Sequence, residues 1–129
     1  MNRAIKFRGK SIFGIHKWIY GSLLLLNGKT YICPNKAIAW NMTKNEVIPE
    51  TVGQFTGLFD KNGKEIYEGD IIKGFDITIE VWYSEEKACF IAEMKEPQND
   101  MVDILGGYDT ARMEIVGNIY DNPEFRKEE

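Results

Sequence analysis

Residues 51–72, TVGQFTGLFDKNGKEIYEGDII, concentrate side chains capable of chemistry: Asp60, Glu65, Glu68 and Asp70, with Asp76 and Glu80 close behind. General acid–base catalysis needs two carboxylates in unlike environments, and metal-assisted hydrolysis needs several converging on one ion. A calcium loop takes oxygen ligands at positions 1, 3 and 5 with glycine at 6. Starting from Asp60, this chain has Gly63 at the fourth position and Lys64 at the fifth, which excludes that loop. GQFTG is glycine-rich, but no Lys-Ser/Thr pair or helix start follows it, so it is no phosphate cradle. Asp60 instead suits the first position of a turn, where its carboxylate bonds the turn's own amides. Glu68 and Asp70 flank Gly69, and both are expected to be solvated, with Asp70 also bonding nearby amides to start the next strand. No catalytic residue, metal or cofactor is expected, and a metal-dependent hydrolase or nuclease using Asp70 is the weakest functional reading.

Gln54, Thr56 and Tyr67 have no such ready structural task. Set between glycines, they can order their own loop or present hydrogen-bonding groups to a ligand or partner, and the first is favoured. His16 is the single imidazole; the first 45 residues hold no acid to pair with it, so it reads as a surface turn residue. No serine or cysteine stands in a nucleophile elbow. Cys33 and Cys89 are far apart with no CxxC, which disfavours a disulfide framework or zinc site.

Charge is distributed unevenly. Residues 1–45 hold eight Lys/Arg and no acid, whereas the remaining 84 hold eight bases and twenty acids, giving +8 and −12. Lys6, Arg8, Lys10 and Lys17, near Trp18 and Tyr20, are the residues expected to contact nucleic acid if the chain binds it. The acidic remainder opposes that role. Opposite charge can equally hold copies of the chain together, which makes a homo-oligomer the expected state.

The elements that must position these groups are short strands. AIKFRG alternates Ile5 and Phe7 against Lys6 and Arg8, predicting a half-buried strand with its bases outside. WIYGSLLLLNGKTYIC predicts a hairpin turning at Asn27-Gly28. Ile38 and Trp40 suggest a short strand, and Pro49 is expected to end regular structure. LFDKNGKEIY predicts a hairpin turning at residues 60–63, and YEGDIIKG a further turn into a strand from Ile71. ITIEVWYSEEKACFIAEM predicts another hairpin, with Ile77, Ile79 and Val81 on one face and Trp82 opposite. Asn99 is placed to cap a helical turn over residues 100–105, and RMEIVGNIYDNP closes as a strand ended by Asn122-Pro123. A hydrophobic fraction of 43% with 12% aromatic residues suffices for a packed core. SLLLLNG is too short to span a bilayer and no signal segment opens the chain, so the cytoplasm is expected and no membrane contact is.

IKFRGK, WIYG, ETVGQFTGLFDKNGKEIYEGDIIK, VWY and IVGNIYDNPEF, in this order, resemble the YopX family, small proteins found mainly in bacteriophages and prophages. The likeness omits residues 30–47 and 95–112. It implies a mainly β protein: a small N-terminal antiparallel β region at 1–50, then a domain at 51–129 built on an SH3-like β-barrel over roughly residues 55–122. The family brings no established activity. The expectation is therefore an accessory protein in the cytoplasm of the bacterial host, acting as a non-enzymatic module that binds a host or phage protein, with nucleic-acid binding as the alternative.

Overall fold

The computed structural model describes residues 3–14, 17–34, 43–97 and 101–126. The chain is mainly β, with two antiparallel sheets, and divides into two compact units, Met1–Phe55 and Thr56–Glu129.

In the first unit β1 (Phe7–Lys10) pairs with β2 (Trp18–Leu26), β2 with β3 (Lys29–Cys33), and β1 also with the start of β4 (Gly53–Phe59). The β2–β3 hairpin turns at Asn27-Gly28 as the sequence predicts, with φ of 54° and 77°. β2 changes partner midway, from β1 over Trp18 to Gly21 to β3 over Ser22 to Leu26. Gly21 is required at that crossing, because a Cβ there would lie 2.1 Å from the Cys33 carbonyl oxygen. Ile19, Ile32 and Val47 form a small core, joined by Phe7, Leu23 and Val52. Pro49 opens a 3₁₀ turn, Pro49–Thr51, instead of ending regular structure. A proline suits the first position of such a turn, since its missing N–H would have no partner there. The expected strand at Ile38 and Trp40 lies outside the described residues, as does His16.

β4 continues past Phe55 into the second unit and turns at residues 60–63 into β5 (Glu65–Tyr67). The second unit's five-stranded sheet has the order β10-β6-β7-β8-β9, from β6 (Asp70–Gly74), β7 (Ile77–Ser84), β8 (Cys89–Glu96), β9 (Val102–Ile104) and β10 (Glu114–Asn118). Among the described residues no pairing joins β9 to β10, so the strand ladder does not close on itself. Its core is Ile66, Ile72, Ile79, Val81, Ala92, Leu105 and Met113. Full burial of each larger aliphatic side chain contributes about 1.5–3 kcal/mol.

Two local expectations are corrected here. Residues 102–104 form strand β9, followed by a 3₁₀ turn at Leu105–Gly107, not a helical turn. The exposed margin of β8 offers a ladder of hydrogen bonds that a single isolated helical turn cannot match; Asn99 is outside the described residues. β10 ends at Asn118 rather than Asn122, because the Asn118 side chain accepts the amides of Tyr120 and Asp121 and bends the chain. β7 keeps Ile77, Ile79 and Val81 on one face with Trp82 opposite, as expected, and is buried on both faces, since Thr78 and Glu80 are buried as well.

Candidate functional site

Three acids of the 60–80 segment, Asp60, Asp70 and Glu80, are structural in their contacts. Asp60 Oδ1 accepts the amides of Asn62 (2.8 Å) and Lys64 (2.9 Å), and Oδ2 accepts the amide of Ile115 (3.1 Å). Burial pushes the Asp60 carboxyl up, but the three amides and the Lys64 charge outweigh it and hold the group below its usual 3.8. Asp70 accepts the Tyr67 amide at 2.8 Å, as expected, yet it is 1% exposed rather than solvated. The turn folds the Asp70 carboxyl group back onto Tyr67, three residues earlier, so a buried amide and a buried carboxyl oxygen are paired. Glu80 is fully buried, with the Lys95 ammonium at 3.4 Å; the same ammonium lies 3.9 Å from Glu93, which stands opposite Glu80 in the ladder. One cation thus bridges two cross-strand acids that would otherwise repel. Among the described residues no group of three His, Cys, Asp or Glu is placed to hold a metal ion.

Thr56 and Tyr67 are tied into the β4–β5 hairpin. The Thr56 hydroxyl donates to the Ile66 carbonyl at 2.8 Å and accepts the Leu58 amide at 3.2 Å. Tyr67 is 1% exposed, and its hydroxyl donates to Glu65 Oε1 at 2.8 Å. Gln54 belongs to the first unit, half-buried and opposite Phe7 in the β1–β4 ladder.

Arg8 does not lie on the outer face that simple alternation predicts for it. Arg8 is only 5% exposed while Ile5 is 46% exposed. The physical reason is the indole of Trp18: the Arg8 guanidinium lies 4.5 Å and the Lys10 ammonium 5.8 Å from its ring centre. Lys6 lies 5.4 Å from the Phe55 ring centre. An aromatic face attracts a cation and lets its aliphatic stem be covered, at about 0.5–2 kcal/mol per contact. Lys17 is exposed, and Tyr20, opposite Arg8, is 46% exposed.

A surface that the sequence reading did not single out lies beside them. Lys10, Ser11, Ile12, Phe13, Gly14 and Ile48 line a cavity of about 260 Å³. Phe13 is 70% exposed, Ile12 43% and Ile48 40%. The chain turns tightly here: the Ser11 hydroxyl accepts the Phe13 amide at 3.0 Å, and the Lys17 amide donates to the Gly14 carbonyl. The signal was present as two bulky apolar residues inside SIFG, a turn that normally favours polar residues. A second exposed apolar group, Leu24, Leu25 and Leu26, sits at the tip of the β2–β3 hairpin. No helix among the described residues is long and apolar enough to cross a membrane.

The sequence profile of the family described as YopX protein matches residues 6–125. No curated protein matches the chain.

Proposed function

The chain belongs to the YopX protein family, and from that footing we propose that it is a non-enzymatic protein-binding module, a phage or prophage accessory protein working in the cytoplasm of the bacterial host. The supporting observation is the exposure of bulky apolar side chains on a rigid strand-and-turn frame, foremost Phe13 at 70% and Leu25 at 68%. Clusters of exposed apolar side chains, such as Ile12, Phe13 and Ile48 or Leu24 to Leu26, are characteristic of surfaces that take a protein partner. Reading the second unit as SH3-like over roughly residues 55–122 draws support from its antiparallel sheet, in which the last strand, β10, returns to pair with β6.

The test is affinity capture of the tagged chain from induced or infected cells, with and without nuclease. Retention of one specific host or phage protein after nuclease, lost in a Phe13→Ser, Leu25→Ser double variant, supports the reading. Recovery of no specific protein overturns it. Bound DNA or RNA that weakens with salt and on neutralising Lys6, Lys10 and Lys17 would favour the nucleic-acid alternative instead.

A further inference from the structure

Two exposed apolar surfaces of this chain are opposite in charge. The first is the cavity walled by Ile12, Phe13 and Ile48, with Lys10 in its lining and Lys17 exposed close by in sequence. It belongs to the unit Met1–Phe55, which carries eight Lys/Arg against two acids, a balance of +6. The second is strand β9 at the margin of the other unit's sheet, where Met101, Val102 and Ile104 are 53%, 41% and 55% exposed. Asp103 lies between the last two, Glu93 faces Val102 across the ladder, and Glu96 ends the neighbouring strand. That unit, Thr56–Glu129, carries eight bases against eighteen acids, a balance of −10.

Resting on the protein-binding reading, we propose that a second copy of this chain is one partner: the β9 margin of one copy docks on the cavity of another, with Ile104 as its anchor. Size permits this, since a dry cavity of about 150 Å³ already admits benzene and this one measures about 260 Å³. The charges favour it, because Asp103 and Glu96 beside β9 meet Lys10 and Lys17 around the apolar contact, while Glu93 stays with Lys95. Docking is by side chains rather than by strand addition. The Ile104 amide already donates to Asp103 Oδ1 at 2.8 Å, which caps part of the strand margin against a new ladder. Because the two surfaces differ, the contact is heterologous, and copies join head to tail into a ring or an open chain.

A complementation experiment on the full chain tests this by sedimentation velocity at low and high salt. Phe13→Glu spoils the cavity and leaves β9 intact; Ile104→Arg does the reverse. Wild-type protein is expected above the 14.9 kDa monomer mass at low salt, with association falling as salt rises. Each variant alone is expected to weaken association about ten-fold or more, and an equimolar mixture to form a dimer and stop there. Both side chains are exposed, so folding should survive; thermal melts check it, and Phe13→Ser and Ile104→Ser replace a variant that fails. A monomeric wild type, a variant that associates like wild type, or a mixture without dimer overturns the proposal. A monomeric wild type that still captures another protein would defeat self-docking alone and leave the protein-binding reading standing.

Discussion

The Asp60 carboxylate accepts the backbone amide of Ile115 at 3.1 Å, joining the turn after β4 to strand β10 across 55 residues of chain. The same carboxylate closes its own turn through Asn62 and Lys64. One side chain therefore shapes a local turn and fastens the last strand of the sheet. Asp60→Ala leaves three amides without this acceptor and is expected to destabilise the protein by about 2–4 kcal/mol, since hydrogen bonds to a charged group are worth roughly 1.5–3 each and are not additive. Asp60→Asn keeps one acceptor oxygen and should cost less. Urea unfolding of both variants checks the order.

The pH dependence of this contact follows from its sign. Asp60 titrates below 3.8 in the folded chain and near its ordinary value when unfolded. Its contribution is complete above the unfolded value and is lost as pH falls through the lower folded value. The stability gap between wild type and Asp60→Asn should therefore be constant at neutral pH and narrow below about pH 4. A gap unchanged into that acid range would refute the charged contact.

Trp18 carries the cations of β1. Trp18→Ala removes the ring beside Arg8 and Lys10, and because Trp18 is only half-buried the expected cost is about 1–3 kcal/mol. Trp18→Phe keeps an aromatic face and should recover much of that loss. Thermal unfolding of the two variants separates the ring's contribution from simple volume.

Gly21 and Gly28 form a contrasting pair. A Cβ at Gly21 would collide with the Cys33 backbone, whereas one at Gly28 meets nothing within 4 Å. Gly21→Ala should cost more than about 3 kcal/mol by parting β2 from β3, and Gly28→Ala only about 1 kcal/mol for its left-handed backbone. Equal destabilisation of the two would contradict the strand crossing.

Much of the frame was legible because it rests on local chemistry. Asn27-Gly28 and residues 60–63 occupy the conformations that their residue types favour, Ser84 accepts an amide of its own turn, and the strands flanking all three turns form hairpins. Residues 102–104 were misread because nothing in their own sequence reveals the β8 margin that recruits them. Of the candidate site, Thr56 and Tyr67 bond to neighbours in the chain, the alternative that the sequence favoured for them, although polarity alone could not name the partners.

Sequence by itself determined the mainly β character, the family and the uneven charge, since these depend on residue type, order and short-range turn preference. Tertiary structure alone decided that Arg8 is covered by Trp18 while Ile5 stays in water, and that Asp60 reaches Ile115. It also decided that Ile12, Phe13 and Ile48 share one exposed hollow. Burial and partnership are properties of pairs of residues distant in the chain, and alternation along one strand cannot say which face another element will cover.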